Sequence, residues 1–130
     1  MIEIETIGKV KNSFDQPAPP EEMRKHKSII EIKPKYEKGL KGIEENDYIQ
    51  VIFNFHLSED FRLIGKRRVG KKRGVFASRS PHRPGTVGVT TVKLISRKNN
   101  ILEVKGLDAV DGTPVIDIKP HTSSFDEIND

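Results

Sequence analysis

The chain has 130 residues, 34% hydrophobic and 32% charged, which is apolar material for one core and not for two. It has no cysteine, which excludes disulfides, thiolate zinc sites and a cysteine nucleophile. The net charge of +4 is only mildly basic, but it is segregated: six of the eight residues 66–73 are Lys or Arg, and the end of the chain from Asp126 is acidic.

In chain order, Ile2-Glu3-Ile4-Glu5-Thr6-Ile7 alternates with period two up to Gly8 and reads as a first strand. Asn12 to Lys27 is a long loop carrying Pro17, Pro19 and Pro20, in which Pro19-Pro20-Glu21-Glu22-Met23 can open a helical turn. Ser28 to Ile32 is a short apolar run stopped by Pro34, and Pro34 to Leu40 reads as a turn or two of helix. Asp47 to His56 is the strongest strand, with β-formers nearly throughout. Ser58 to Arg73 is a second long loop, and a basic one, and Gly74 to Ser78 is a short run after it. Val87 to Ile95 and Ile101 to Val104 flank the polar turn Ser96 to Asn100 as a hairpin. Thr113 to Lys119 is a last strand, with its proline near the start, where a missing N–H is tolerated. Seven or so short strands with one or two helical turns predict an all-β fold, a single β-barrel over residues 1–121, followed by an acidic tail over 122–130. Loops as long as these two often carry function.

Several chemistries are disfavoured by the motifs. Gly65 to Lys72 approaches a phosphate-binding loop, but Lys72 stands where a Ser or Thr should reach Mg²⁺, and β-rich sequence follows instead of a helix. No Gly-x-Gly-x-x-Gly supports a dinucleotide site. His26, His56, His82 and His121 show no ligand spacing, so no metal is expected. No apolar run approaches the roughly 20 residues that cross a bilayer, and Met1-Ile-Glu-Ile-Glu is not a secretory signal, so no membrane association is expected and the protein is read as soluble and cytoplasmic.

Three segments allow a functional reading beside a plain one. The basic run is either a solvated loop or a phosphate-contact surface, with Lys66, Arg67, Arg68, Lys71, Lys72 and Arg73 as its RNA-binding candidates. Arg79 to Thr86 interleaves two arginines and a histidine with two prolines. It is either a proline-rich surface turn or a stiff loop presenting guanidinium groups to a planar or anionic ligand. Leu107 to Pro114 is either a structural turn or a ligand loop between strands.

Gly74-Val75-Phe76-Ala77-Ser78-Arg79-Ser80-Pro81-His82-Arg83-Pro84 resembles the pattern G-V-F-A-S/T-R-S-P-x-R-P of the TrmO-type tRNA methyltransferases. Gly106 to Pro120 is similar to that family's G-L-D-x-x-D-G-T-P-V/L-x-D-I-K-P. Ile7-Gly8, Ser13-Phe14 and Phe53-Asn54-Phe55-His56 also fit, so the likeness spans about residues 2–121. Two departures stand out: Gly85-Thr86 replaces the family's Asn-Pro, and His121 replaces a tyrosine.

The resemblance implies a β-barrel enzyme, a homodimer with S-adenosylmethionine bound near the subunit interface. Its substrate would be tRNA, methylated on the exocyclic amine of the threonylcarbamoyl-adenosine next to the anticodon. On that basis the expected cofactor site comprises Phe14, Asp15, Gln16, His56, Leu57, Arg79, Arg83 and Val89, with Leu107, Asp108, Ala109, Val110 and Asp111. A carboxylate of that last turn would hold the ribose hydroxyls, backbone amides would read the adenine edge, and Arg79 and Arg83 would contact the cofactor carboxylate or an RNA phosphate. No side chain is singled out as a general base. The alternative from another class is a non-catalytic barrel that binds RNA or S-adenosylmethionine without transfer.

Overall fold

The computed structural model of the chain describes residues 2–66 and 72–128. Period-two alternation of β-branched residues builds the frame, because it gives each strand one apolar face to bury. The elements are β1 (Gly8–Lys11), α1 (Pro20–Met23), β2 (Lys27–Ile32), β3 (Tyr48–Asn54), β4 (Ile64–Lys66), β5 (Lys72–Gly74), β6 (Val87–Lys98), β7 (Ile101–Lys105), β8 (Pro114–Pro120) and α2 (Ser123–Asp126). Six strands close into a barrel in the order β1-β2-β7-β6-β3-β8, and β4 and β5 form a separate two-stranded ribbon. All the strand pairs are antiparallel.

The interior is filled by the inward positions of each strand: Val10, Ile30, Ile32, Ile49, Val51, Phe53, Val92, Leu102, Val104 and Val115. Removing these side chains from water supplies the main favourable term of folding, and no disulfide assists it. The barrel closes where β8 runs between β3 and β1, and the β1–β8 seam is short, with Gly8 opposite Val115 and Lys9 opposite Pro114.

The all-β barrel expected from the sequence is the observed fold, with eight strands among the described residues in place of about seven, six of them in the barrel. Three local differences have physical causes. Ile2 to Ile7 is not a strand; β1 begins at Gly8, and Ile2 and Ile4 are exposed. Within it, Ile7 is tied to the barrel, its N–H donating to the Val115 carbonyl and its carbonyl accepting from the Lys33 N–H, both at 2.8 Å; before it the neighbour β2 has ended at Ile32 and Pro34 follows. Residues Val75–Ala77, within the short β-rich run expected after the basic loop, form a 3₁₀ turn, because the Ser78 hydroxyl and the Arg83 guanidinium both donate to the Val75 carbonyl. The β6–β7 turn is shorter than Ser96 to Asn100. β6 runs on to Lys98, and Asn99 takes a left-handed φ of 55°, as a tight hairpin demands. The Pro34–Leu40 segment is helical as expected, though of the tighter 3₁₀ kind.

Candidate functional site

A cleft of about 980 Å³ opens at the barrel mouth where β3 ends and where β6 and β8 begin. Its floor is aromatic. Phe53 and Phe55 meet edge to face, with ring centroids 5.2 Å apart and planes at 76°. Both rings lie against Gly88, where a Cβ would come within 2.7 Å of Phe55 Cζ and 2.8 Å of Phe53 Cζ. Gly88→Ala is therefore expected to displace the rings and to cost about 1–3 kcal/mol, read as a lowered midpoint in thermal unfolding.

One wall carries the charge. Thr90, on an inward position of β6 and 8% exposed, donates its hydroxyl to Asp108 Oδ1 at 2.6 Å. Arg24, from the loop after β1, meets Asp108 Oδ2 at 2.9 Å. The Asp108 side chain is 17% exposed and so keeps a path to the cleft. The turn that bears it is fastened to the β1–α1 loop. Asn12 Nδ2 donates to the Ala109 carbonyl at 2.8 Å, and the Asn12 N–H donates to Asp111 Oδ1 at 3.0 Å. The Asp111 N–H donates to the Phe14 carbonyl at 2.7 Å, and the Thr113 hydroxyl donates to the Val110 carbonyl at 2.7 Å. Gly112, with φ 83°, supplies the left-handed step that lets the chain turn into β8.

The rim is the Arg79 to Pro84 loop. Arg83 turns inward: its Nη1 donates to the carbonyls of Ser78 (3.1 Å) and Ser80 (2.9 Å), and its Nη2 to that of Val75 (3.3 Å). One guanidinium thus organises both the 3₁₀ turn and the loop. Arg83→Ala is expected to cost about 1.5–3 kcal/mol in urea denaturation, since charge-assisted bonds to carbonyls are removed together. Arg79 Nη1 donates to the Val89 carbonyl at 3.1 Å, leaving the rest of its fork toward the cleft. At the departure from the family pattern, the Thr86 hydroxyl donates to Asn54 Oδ1 at 2.7 Å, and the Thr86 carbonyl accepts from the Phe55 N–H at 2.8 Å. Thr86 of the Gly-Thr pair therefore anchors the end of β3.

Of the expected cofactor residues, His56, Leu57, Arg79, Arg83 and Val89 line the cleft, as do Asp108, Ala109 and Val110. Five others do not. Leu107 lies in the core, and Asp111 is held by Asn12 in the loop latch. Phe14 packs its ring edge-on to His26, with Asp15 and Gln16 exposed beside it. Sequence reading missed Arg24, Phe76, His82 and Thr90, all of which line the cleft. Thr90 had a signal, a polar residue at an inward position of a strand; Arg24 had none, since its partner lies 84 residues away.

Among the RNA-binding candidates, Lys72 and Arg73 are exposed on β5. Lys66 ends β4 opposite Lys72 in the ribbon. Arg67, Arg68 and Lys71 lie outside the described residues. Among the described residues, no three His, Asp or Glu side chains gather as a metal-ligand group, and no helix is long and apolar enough to cross a membrane. A smaller hollow of about 500 Å³ lies where β1 begins and β2 ends, between Ile7, Ile32, Ile43 and Ile118.

A closed six-stranded barrel with a large, aromatic-floored and carboxylate-bearing cleft at its mouth has the form in which small-molecule sites are usually built. The chain belongs to the family described as the tRNA-methyltransferase O N-terminal domain, which it matches over residues 6–127. It is 36% identical over 132 residues to a probable S-adenosyl-L-methionine-binding protein of Archaeoglobus fulgidus, covering 98% of this chain and 36% of that one. It is 39% identical over 94 residues to the tRNA (adenine(37)-N6)-methyltransferase of Mus musculus, covering 69% of this chain and 22% of that one. The fold superposes on the crystal structure of TrmO from Pseudomonas aeruginosa with a TM-score of 0.77 and 29% identity, over 100% of this chain and 60% of that one. The chain thus spans about a third of the archaeal relative's length and about a fifth of the mouse enzyme's.

Proposed function

We propose that this domain binds S-adenosylmethionine in the cleft and catalyses methyl transfer to a tRNA adenine. The acceptor is the exocyclic amine of threonylcarbamoyl-adenosine next to the anticodon. The observation that carries the reading is the Asp108 carboxylate, held by Thr90 and Arg24 above an aromatic floor, in a chain of this family. The donor set fits the molecule. Rings at Phe53 and Phe55 suit a nucleoside, the carboxylate suits ribose hydroxyls or a cationic sulfur, and the free part of the Arg79 fork suits an amino-acid carboxylate.

When bound, the donor would supply a methyl group on a sulfonium: the amine nitrogen would attack that carbon in line, the carbon–sulfur bond would break, and the neutral thioether would leave. This chain's residues do the positioning, which in well-oriented reactions supplies as much as about 7–11 kcal/mol of the barrier reduction. The Asn12 and Asp111 latch fixes the carboxylate-bearing turn, and Arg83 fixes the rim, so both sides of the cleft are set before a ligand arrives. The amine must also shed a proton, and His56, His82 and Asp108 are the cleft groups able to accept one.

A homodimer is part of this reading, and the exposed Leu57, Phe61, Leu63 and Ile64, close together in the chain, are apolar side chains that a second copy could cover. The reading places the protein in the cytoplasm with its tRNA. Neutralising the basic run of residues 66–73 is expected to lower the slope of log Kobs against log salt for tRNA binding, by about 0.7–0.9 for each phosphate left unneutralised. An unaltered slope would remove the run from the RNA surface. The test of the function is incubation with labelled S-adenosylmethionine and total tRNA, followed by nucleoside analysis. Label in the methylated threonylcarbamoyl-adenosine supports it. Retention of the cofactor with no transfer would favour a binding protein, the property named for the archaeal relative.

A further inference from the structure

Phe76 is the most exposed aromatic ring in the described part of the barrel domain, at 80%, and it stands on the rim of the cleft. Its neighbour Val75 is buried, and the 3₁₀ turn that carries both is pinned from two sides. The Ser78 hydroxyl donates to the Val75 carbonyl at 2.8 Å, and Arg83 donates to the carbonyls of Val75 and Ser78. The backbone under the ring is therefore fixed, while the ring itself packs into nothing. Leaving a phenyl ring in water forgoes its burial energy, so a rigidly mounted and fully presented ring is suited to an external partner.

The chemistry of that partner is set by the surroundings. Lys72 and Arg73, exposed on β5, lead directly into the turn, and Arg79 and His82 share the rim. A flat apolar face on a rim shared with Arg79, with Lys72 and Arg73 just before it in the chain, suits an unstacked nucleobase on a phosphate backbone, the arrangement by which proteins hold single-stranded RNA. We propose that Phe76 is a substrate-positioning residue on which a splayed-out base of the unpaired tRNA segment stacks at the cleft mouth. This rests on the tRNA-methyltransferase reading above and adds to it the way the substrate is gripped.

The chain contains no tryptophan, which makes the test direct. Phe76→Leu keeps an apolar side chain and removes the π-face, and it is expected to weaken tRNA binding about 5- to 100-fold. Phe76→Trp restores binding and introduces a single indole, whose emission is expected to be quenched on titration with tRNA. Unchanged tRNA affinity in Phe76→Leu, or an indole signal indifferent to saturating tRNA, overturns the proposal. So does an equal loss of S-adenosylmethionine affinity in calorimetry without tRNA, which would give the ring to the cofactor. A shift toward monomer in sedimentation would give it instead to a second copy of the chain. Wild-type protein that binds and methylates tRNA while Phe76→Leu does so equally well sinks this proposal alone, whereas wild-type protein that binds no tRNA sinks it together with the function it rests on.

Discussion

Asp108→Ala is expected to weaken S-adenosylmethionine binding by about tenfold to a hundredfold, a loss of roughly 1.5–3 kcal/mol for hydrogen bonds to a charged group. The substitution removes the acidic partner of both Thr90 and Arg24. Thr90, almost wholly buried, is then left with an unsatisfied hydroxyl, and Arg24 loses the carboxylate that holds its loop against the turn. Asp108→Asn separates the two contributions. It keeps an oxygen for Thr90 and removes the negative charge, so its affinity should fall between those of the wild type and the alanine variant. Titration calorimetry reads the effect, with a thermal melt of each variant beside it. An affinity within twofold of wild type in a folded Asp108→Ala protein would take the carboxylate out of the cofactor site.

The largest expected effect on stability comes from Gly8→Ala. A Cβ at Gly8 would collide with the Glu31 carbonyl oxygen and reach the Cα of Ile32 at 3.0 Å, so backbone and not a flexible side chain would have to give. Gly8 is also a seam residue, pairing with Ile32 on one side and Val115 on the other in a strand of four residues. We expect a loss of about 3 kcal/mol, the upper end of ordinary overpacking, and a melting point lower by about 10 °C. Gly39→Ala and Gly85→Ala are the controls, because a Cβ at either meets nothing within 4 Å. They should change stability by no more than about 0.5 kcal/mol. Equal melting points for all three variants would show that the seam tolerates the extra methyl.

Much of the barrel was legible in the residues. β2, β3, β6, β7 and β8 are where runs of Ile, Val and Phe alternate between turn signals, because a half-buried pleated surface selects those side chains. What alternation cannot report is whether a neighbouring strand exists. Ile2 to Ile7 carries the pattern, yet only Ile7 bonds to the barrel's backbone, so the segment forms no strand. Nor can residue type tell an inward arginine from an outward one. Arg79 and Arg83 look alike in sequence, yet Arg83 directs its donors to three carbonyls of its own turn and loop. The cleft was half legible: its motif loops were identified, while Thr90 and Arg24 enter only because closing the barrel brings distant segments to one carboxylate. The same closure draws Leu107 into the core and holds Asp111 to fastening two loops.

The position of β8 between β3 and β1 has a consequence for the order of assembly. Until residues Pro114–Pro120 are available, β1 and β3 are both unpaired on one side, and the sheet is an open ribbon with two bare edges. The pairing that removes both edges joins Gly8 to Val115, residues near opposite ends of the fold, so its loop-closure entropy is met last. Growing from the ribosome, this domain therefore cannot complete its barrel strand by strand. It must emerge almost whole before it can shut, and its vulnerability to edge-to-edge aggregation is concentrated in that interval.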